Sequence, residues 1–387
     1  MQPTVPYIPQ TTNGKPAPLP FVLPSRTLVD KGSKKGVLST FHLEEVRDHL
    51  KNVARLQAAE DYSRSLDQLH VSFVGGHMEA RFLTPGGVSQ DALLFTDTGA
   101  SNVAREVLPS RFFGGLRDLA HMDEQGQKLA TMTWAKFAAK AVEPQMVRTV
   151  NMNVDGVIRR VVRSCHSTTY APYSNLQFVE DILANAGEFA NLPVVDWKVT
   201  DGLMRLRFTG CNAESVELKK PAPLIEAWNS EIGLRRVGLR GGMFKLVCTN
   251  GAGHWDEKQE FNWRHSGQTE RIQRGVQGAF ENLITSAKGV VNAYQQALSI
   301  SIDDAYKWME QELARGEVSQ RIQVEAAGGM RDPTTTPGNT LASVIDAVTL
   351  IAQKEDLLEQ YALEQLASNM LRRGLGQAQG NRILVEA

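Results

Sequence analysis

Leu43, Val46, Leu50, Val53 and Leu56 recur at intervals of three and four, the spacing that lines one face of an α-helix with apolar side chains. Thr40 is placed to cap that helix, and Glu44 and Glu45 suit the positive end of its dipole. Strands or irregular segments are expected over 69–96. Residues 100–140 read as short helices broken at Pro109 and at Gly114-Gly115, with Trp134, Phe137 and Ala138 at helical spacing in a core.

The period changes in the middle third. Asp155-Gly156 separates β-type runs at 146–152 and 157–162, Asp201-Gly202 separates 194–199 from 203–208, and Gly241-Gly242 separates 234–239 from 243–248. Such dipeptides supply the positive φ of two-residue hairpin turns, so three hairpins are predicted, with a helix over Asn175–Ala186 between them. Helix returns in the last third. Ile272, Val276, Phe280, Ile284, Ala287, Val291, Tyr294 and Leu298 form one stripe, and a second helix is expected over Ile302–Arg315. After a loop over Gly328–Gly338, the residues Leu341, Val344, Ile345, Val348, Ile351, Leu358, Tyr361, Leu366 and Met370 mark another long helical region, with Gly374-Leu375-Gly376 as its stop.

These patterns predict an α+β fold, with an antiparallel sheet of hairpins in the middle third packed on helices from the N- and C-terminal thirds. The chain divides into a Pro-rich extended arm over 1–38, an α+β body over 39–300 and a C-terminal helical region with a polar tail over 301–387. In the arm, Pro3, Pro6, Pro9, Pro16, Pro18, Pro20 and Pro24 exclude regular helix, and Arg26, Lys31, Lys34 and Lys35 make its end basic. It reads either as a solvated linker or as an arm that touches phosphate or a partner, including a second copy in a homo-oligomer.

Formal net charge is -1, so no global basic field draws in nucleic acid or anionic membrane, and any such partner must meet a local patch. Cys165, Cys211 and Cys248 are the only cysteines, which points to free thiols in a reducing, cytoplasmic compartment. The opening Met1-Gln2-Pro3 has no signal-peptide pattern, and no stretch approaches the roughly 18 apolar residues of a membrane span.

Recognisable reaction chemistry is sparse. Neither a Gly-x4-Gly-Lys phosphate loop, nor Gly-x-Gly-x-x-Gly, nor Gly-x-Ser-x-Gly occurs, so no cofactor or catalytic residue is assigned. Cys165 and His166 are adjacent, and adjacent strand residues face opposite ways. Cys248, His254 and His265 fit no standard zinc spacing, and no metal is assigned. Asn229, Ser230, Glu231, Thr249 and Asn250 fall at expected strand ends. Turn chemistry accounts for them, or else Asn229, Glu231 and Asn250 line a shared polar cleft with Glu231 as ligand or base.

Arginine and tryptophan cluster more conspicuously. Arg159, Arg160 and Arg163 share one predicted hairpin, and Arg205 and Arg207 lie two apart on one strand face. Arg235, Arg236, Arg240, Lys245, Trp255, Trp263 and Arg264 follow within about thirty residues, and Arg271 and Arg274 close the same aromatic and basic cluster. Arginines on a sheet meet phosphates and exposed tryptophans stack on unpaired bases, so these are the candidate contacts for single-stranded nucleic acid. The competing reading is a salt-bridged face, because Asp256, Glu257, Glu260 and Glu270 lie among them.

The succession Trp228-Asn229-Ser230-Glu231-Ile232-Gly233, then Phe244-Lys245-Leu246-Val247-Cys248-Thr249-Asn250-Gly251, then Arg264-His265, resembles a phage- and plasmid-encoded family, domain of unknown function 932. Val157–Ser164 leading to Tyr170, and Asn339-Thr340-Leu341 leading to Asp346–Thr349, are similar to two further segments of that family. At Ser164-Cys165-His166-Ser167 the chain departs from the family's usual Ser-Asp-x-Tyr type of sequence. The resemblance implies a mobile-element origin and a shared fold, and no reaction. The functional expectation is a non-enzymatic nucleic-acid-binding protein of phage or plasmid replication or recombination. The alternative is a structural, assembly or host-interaction protein.

Overall fold

The computed structural model describes residues 26–27, 42–57, 60–74, 77–84, 87–88, 92–109, 111–154, 157–185, 193–200, 202–209, 220–247, 250–332, 335–355 and 357–385. Apart from Arg26 and Thr27, the Pro-rich arm lies outside them, as do Thr40, Cys211 and Cys248.

In the N-terminal third, a short strand β1 (Arg26–Thr27) and helix α1 (Leu43–Gln57) precede strands β2 (Glu60–Ser65), β3 (Leu69–Val74), β4 (His77–Thr84), β5 (Gly87–Val88) and β6 (Leu93–Phe95). Helices α2 (Asp97–Val107), α3 (Phe112–Met122) and α4 (Glu124–Ala138) follow. The middle third supplies β7 (Pro144–Val154), β8 (Val157–Ser167), α5 (Asn175–Asn185), β9 (Val194–Val199), β10 (Met204–Thr209), β11 (Pro221–Asn229), β12 (Val237–Val247) and β13 (Asn250–Trp263). The rest is α6 (Thr269–Ala297), β14 (Ser301–Ile302), α7 (Ala305–Arg315), α8 (Gln320–Gly329), α9 (Leu341–Ala352), α10 (Leu357–Gln377) and β15 (Arg382–Ile383).

The fold is α+β, with the antiparallel sheet of the middle third packed on helices from both ends. The predicted hairpins divide between two sheets. The β7–β8 hairpin joins the N-terminal strands in the order β2-β7-β8-β6-β4-β3, where β6 and β8 pair in parallel. The antiparallel sheet runs β1-β9-β10-β11-β12-β13.

One predicted hairpin is misplaced. Gly241 and Gly242 lie inside β12, which continues past them along β11. The chain instead reverses between Val247 and Asn250, which pair. Gly241 is there because α6 lies against the strand: a Cβ on it would meet Leu283 O at 2.5 Å and Ala287 N at 2.9 Å. Two helix boundaries also shift. Gly114 and Gly115 sit within α3, exposed and with open space around them, so they do not break it. The last long region divides into α9 and α10, and α10 runs through Gly374 and Gly376 to Gln377.

Among the described residues, three large apolar cores result. Leu43, Val46 and Leu50 of α1 meet Phe178 and Ile182 of α5, Trp197, Leu206 and Leu239 of the antiparallel sheet, and Ile272 and Val276 of α6. Trp134, as its spacing suggested, anchors α4 among Phe73, Val103, Leu116 and Val162 over the mixed sheet. The third core surrounds α9, which is buried almost all round, and contains Tyr294 and Trp308. Helix α6 spans about 43 Å at 1.5 Å per residue and so belongs to two cores, with Ile272 to Leu283 in the first and Val290 to Ala297 in the third.

Candidate functional site

Arg205 and Arg207 do share a strand face, but that face is closed. Directly opposite one another across five strands stand Asp196 of β9, Arg207 of β10, Glu226 of β11, Arg240 of β12 and Glu260 of β13. Glu226 accepts from Arg207 Nε at 2.8 Å and from Arg240 Nε at 2.7 Å, and Arg207 also pairs with Glu364 of α10. Arg205 holds Asp196 at 2.5 Å. Tyr361 of α10 lies 3.5 Å under the Arg235 guanidinium and 4.4 Å under that of Arg240, with Trp228 beside it. Burial opposes ionisation of Glu226, yet Arg240, Arg207 and Arg205 together hold its carboxyl well below the usual range.

Arg205, Arg207 and Arg240 are therefore interior groups locked onto carboxylates, which corrects their reading as phosphate contacts on an open face. The sequence counted acidic neighbours after residue 250 but missed Asp196, Glu226 and Glu364, which only strand register and the return of α10 bring close.

A second polar cluster joins the two sheets. Ser230-Glu231-Ile232-Gly233 turns the chain between β11 and β12, with Gly233 at φ +68°. Asn229 is buried and donates to Tyr173 O and to Asn175 Oδ1, and Ser230 donates to Gly202 O. Glu231 accepts from Arg163 Nη1 of β8 at 2.8 Å and from Asn175 N, the first residue of α5, at 2.7 Å. Arg148 of β7 donates to the backbone oxygen of Glu231 and holds Asp61 at 3.0 Å. Burial raises the Glu231 carboxyl, but Arg163 outweighs it with help from Asn175 N and Arg148, so the group stays ionised. Of the residues expected to line a cleft, Asn229 and Glu231 both bond Asn175, but Asn229 is fully buried and only Glu231 lines a cavity, and the Asn250 side chain lies outside the described ones.

Beside Glu231, the rings of His166, Tyr170 and His265 form a continuous stack, with centroids 4.0 and 5.2 Å apart. Burial, then the Arg148 charge, brings the His166 pKa to about 4. For His265 burial is again the main cause and the value is also about 4. Burial pushes the Tyr170 hydroxyl up to about 12, and it donates to Glu231 O at 3.0 Å. Cys165, next to His166 in sequence, turns the opposite way into the core of the mixed sheet and is a free, buried thiol raised by burial to about 12. Between α1, α5 and this cluster lies a cavity of about 220 Å³, lined at its polar end by Arg148, Arg163, Asn175 and Glu231.

Several of the remaining sequence candidates reach the surface. Arg159 is exposed near the tip of the β7–β8 hairpin beside the exposed Val157 and Ile158, and Arg160 is half-buried against Glu60 at 2.9 Å. Arg236 and Arg264 are both exposed and flank a cross-strand pair, Val237 with Trp263. The half-buried Trp263 indole lies across Gly275 of α6, where a Cβ would overlap it, and Phe261 stacks beside it. Arg271 and Arg274, which belong to the same aromatic and basic cluster in the sequence, are exposed in the first turns of α6 and complete the group. Among the described residues, no carboxylate pairs with Arg236, Arg264, Arg271 or Arg274. The side chains of Lys245 and Trp255 lie outside the described ones.

Among the described residues, no group of three or more His, Cys, Asp and Glu converges as a metal site, and no helix is long and apolar enough to cross a membrane. Comparison with protein families, curated proteins and solved structures returns no match.

Proposed function

We propose that this protein binds single-stranded nucleic acid, through the arginines around Trp263, in the DNA metabolism of a phage or plasmid. One observation carries the reading: Arg236, Arg264, Arg271 and Arg274 are exposed around a half-buried indole, with no described carboxylate neutralising them. Guanidiniums left open to solvent suit phosphate oxygens, and an indole edge at the same place offers a stacking surface to an unpaired base. The net charge of -1 is compatible with this, because the contact is local and screened beyond roughly 10 Å. The mobile-element setting rests on the family resemblance alone.

The test is the salt dependence of binding to a short oligonucleotide. Each phosphate neutralised on a single strand contributes about -0.7 to the log–log slope. Changing all four arginines to alanine should flatten the slope by about 1–2, with the fold intact. Absence of wild-type binding to single strands at about 50 mM salt, where such contacts are strong, would refute the reading.

A second reading has its own observation. Leu129 and Met132, three apart on α4, are 51% and 67% exposed, and Met122 at the end of α3 is 76% exposed. Apolar side chains in solvent at helical spacing suit an assembly contact. Leu129→Lys with Met132→Lys should then lower the oligomeric mass measured by light scattering, and a mass unchanged from wild type would exclude that face.

A further inference from the structure

A cavity of about 220 Å³ lies between α1, α5 and the turn after β11, and none of the arginines around Trp263 lines it. It is large enough for an organic guest, since an apolar cavity of about 150 Å³ accepts a benzene-sized molecule. Most of its wall is apolar: Leu50 and Val53 of α1, Leu176 of α5, Val199 of β9 and Ile232 of the turn. Val53 is half-buried and the adjoining Ala54 is exposed, so the mouth lies along the outer face of α1.

The opposite end is polar, but its charges are matched. Arg148 holds Asp61 through Nε and donates Nη1 to Glu231 O. Arg163 donates to one carboxylate oxygen of Glu231, and Asn175 N donates to the other. Two guanidiniums therefore stand against two carboxylates. An anion entering here would meet Glu231 and find no unmatched cation, and a cation would meet the two guanidiniums. Charge of either sign is disfavoured, because a buried ion without its own partner loses hydration and gains nothing in return. The Thr149 hydroxyl is also engaged, since it donates to Glu60 O.

Two neutral donors remain. Asn175 is only 5% exposed, and its Oδ1 accepts from Asn229 Nδ2 at 2.9 Å. Its own Nδ2 has no partner among the described residues and is not enclosed by protein, so it faces the open space that Asn175 lines, which is this cavity. The neighbouring Ser174 Oγ accepts from Gln177 N at 3.0 Å, which leaves its hydroxyl proton to donate. A buried amide nitrogen without an acceptor is costly, and an uncharged oxygen at this end would relieve it. The apolar wall in turn favours a hydrocarbon body over water.

We propose that this cavity binds a neutral ligand with one carbonyl oxygen on an apolar body, such as a ketone, ester or lactone of about eight heavy atoms. The carbonyl oxygen accepts from Asn175 Nδ2 and Ser174 Oγ, and the body lies among Leu50, Val53, Leu176, Val199 and Ile232. Asn175 determines the specificity. The Arg163–Glu231 pair is a positioning element, because Glu231 holds the backbone of Asn175 at the start of α5.

The experiment titrates the full chain with heptan-2-one, with sodium hexanoate as its charged isostere and with toluene as a guest without an acceptor, followed by ligand-observed NMR and calorimetry. Heptan-2-one is expected to bind in about the 0.1–5 mM range. Hexanoate should bind at least about ten-fold more weakly, because its charge finds no partner. Toluene should bind about three- to ten-fold more weakly, because it leaves both donors unmet. Asn175→Leu should cut the advantage of the ketone over toluene to about two-fold or less while toluene still binds, a change that loss of packing alone does not produce. Val53→Trp, which fills the mouth and leaves the polar end untouched, should abolish binding of ketone and toluene alike. The proposal is overturned if the wild type does not bind heptan-2-one, if hexanoate or toluene binds as tightly as the ketone, or if Val53→Trp binds the ketone in full.

Discussion

Arg163 of β8 meets Glu231, two residues beyond β11, at 2.8 Å, so an ion pair links the mixed sheet to the turn that follows β11. Both side chains are largely buried, at 6% and 18% exposure. In such a setting, removing one partner strands the other charge, which costs about 3 kcal/mol or more. Glu231→Ala should therefore lower the urea-derived stability by about that amount. Arg163→Met combined with Glu231→Ala should cost less than the sum, by a coupling of about 1–3 kcal/mol. Additive losses would mean that the pair does not hold that turn to the mixed sheet.

The His166–Tyr170–His265 stack makes stability depend on pH in a defined window. Both histidines have folded pKa values of about 4, below the ordinary 6.5, chiefly because burial disfavours their charged forms. The unfolded chain thus takes up the two protons first as pH falls. Stability is complete above about pH 7 and declines from about 6.5 down to about 4, at up to about 1.4 kcal/mol per pH unit for each histidine. The lowered carboxyls of Glu226 and Glu231 add their losses only below the usual carboxylate range. His166→Gln is expected to halve the slope between pH 6.5 and 5 in urea melts. An unaltered slope would assign the dependence to other groups.

What the sequence made legible follows from how local each signal is. Periodicities of two and of three to four recovered α1, α6 and the β7–β8 and β9–β10 hairpins, because those patterns are read within one element. Register is not local. Nothing near Arg207 in the chain announces that Glu226 will stand opposite it, or that Glu364 will return 157 residues later to cap the pair. The arginines consequently looked available when four of them, Arg163, Arg205, Arg207 and Arg240, are enclosed. Glu231 was singled out by its position at a strand end, yet its partners Arg163 and Asn175 come from elements 68 and 56 residues away. Gly241-Gly242 misled because the same residue that permits a turn also permits a helix backbone to lie flat on a strand.

That distinction can be measured. A methyl group at Gly241 would run into the backbone of α6 at Leu283 and Ala287, whereas one at Gly278, exposed in α6, meets nothing within 4 Å. Gly278→Ala should raise stability by about 0.5–1 kcal/mol through helix propensity. Gly241→Ala should lower it by about 1–3 kcal/mol, because the helix must lift from the sheet. A neutral Gly241→Ala variant would contradict the close approach of α6 to β12.

The last prediction separates enclosed arginines from exposed ones. Glu226 is fully buried between Arg207 and Arg240, with Arg205 also within 4.0 Å. Glu226→Gln keeps the shape but removes the negative charge, leaving guanidiniums that burial already penalises without their common counter-ion. The expected loss is about 3–5 kcal/mol. Arg240→Ala should cost a similar amount, since it exposes Glu226 to the same imbalance and empties space beneath Tyr361 and Trp228. Neither change should alter the salt slope of oligonucleotide binding at a temperature where the variant stays folded, because Arg240 has no solvent exposure and releases no counter-ion. Arg236→Ala and Arg271→Ala should do the reverse, flattening the slope by up to about 0.7 each with stability within about 0.5 kcal/mol of wild type. Thermal melts and salt titrations on the same four variants decide it. If Arg240→Ala flattens the slope as Arg236→Ala does, the ladder across β9–β13 is open to the ligand and the division drawn from burial is wrong.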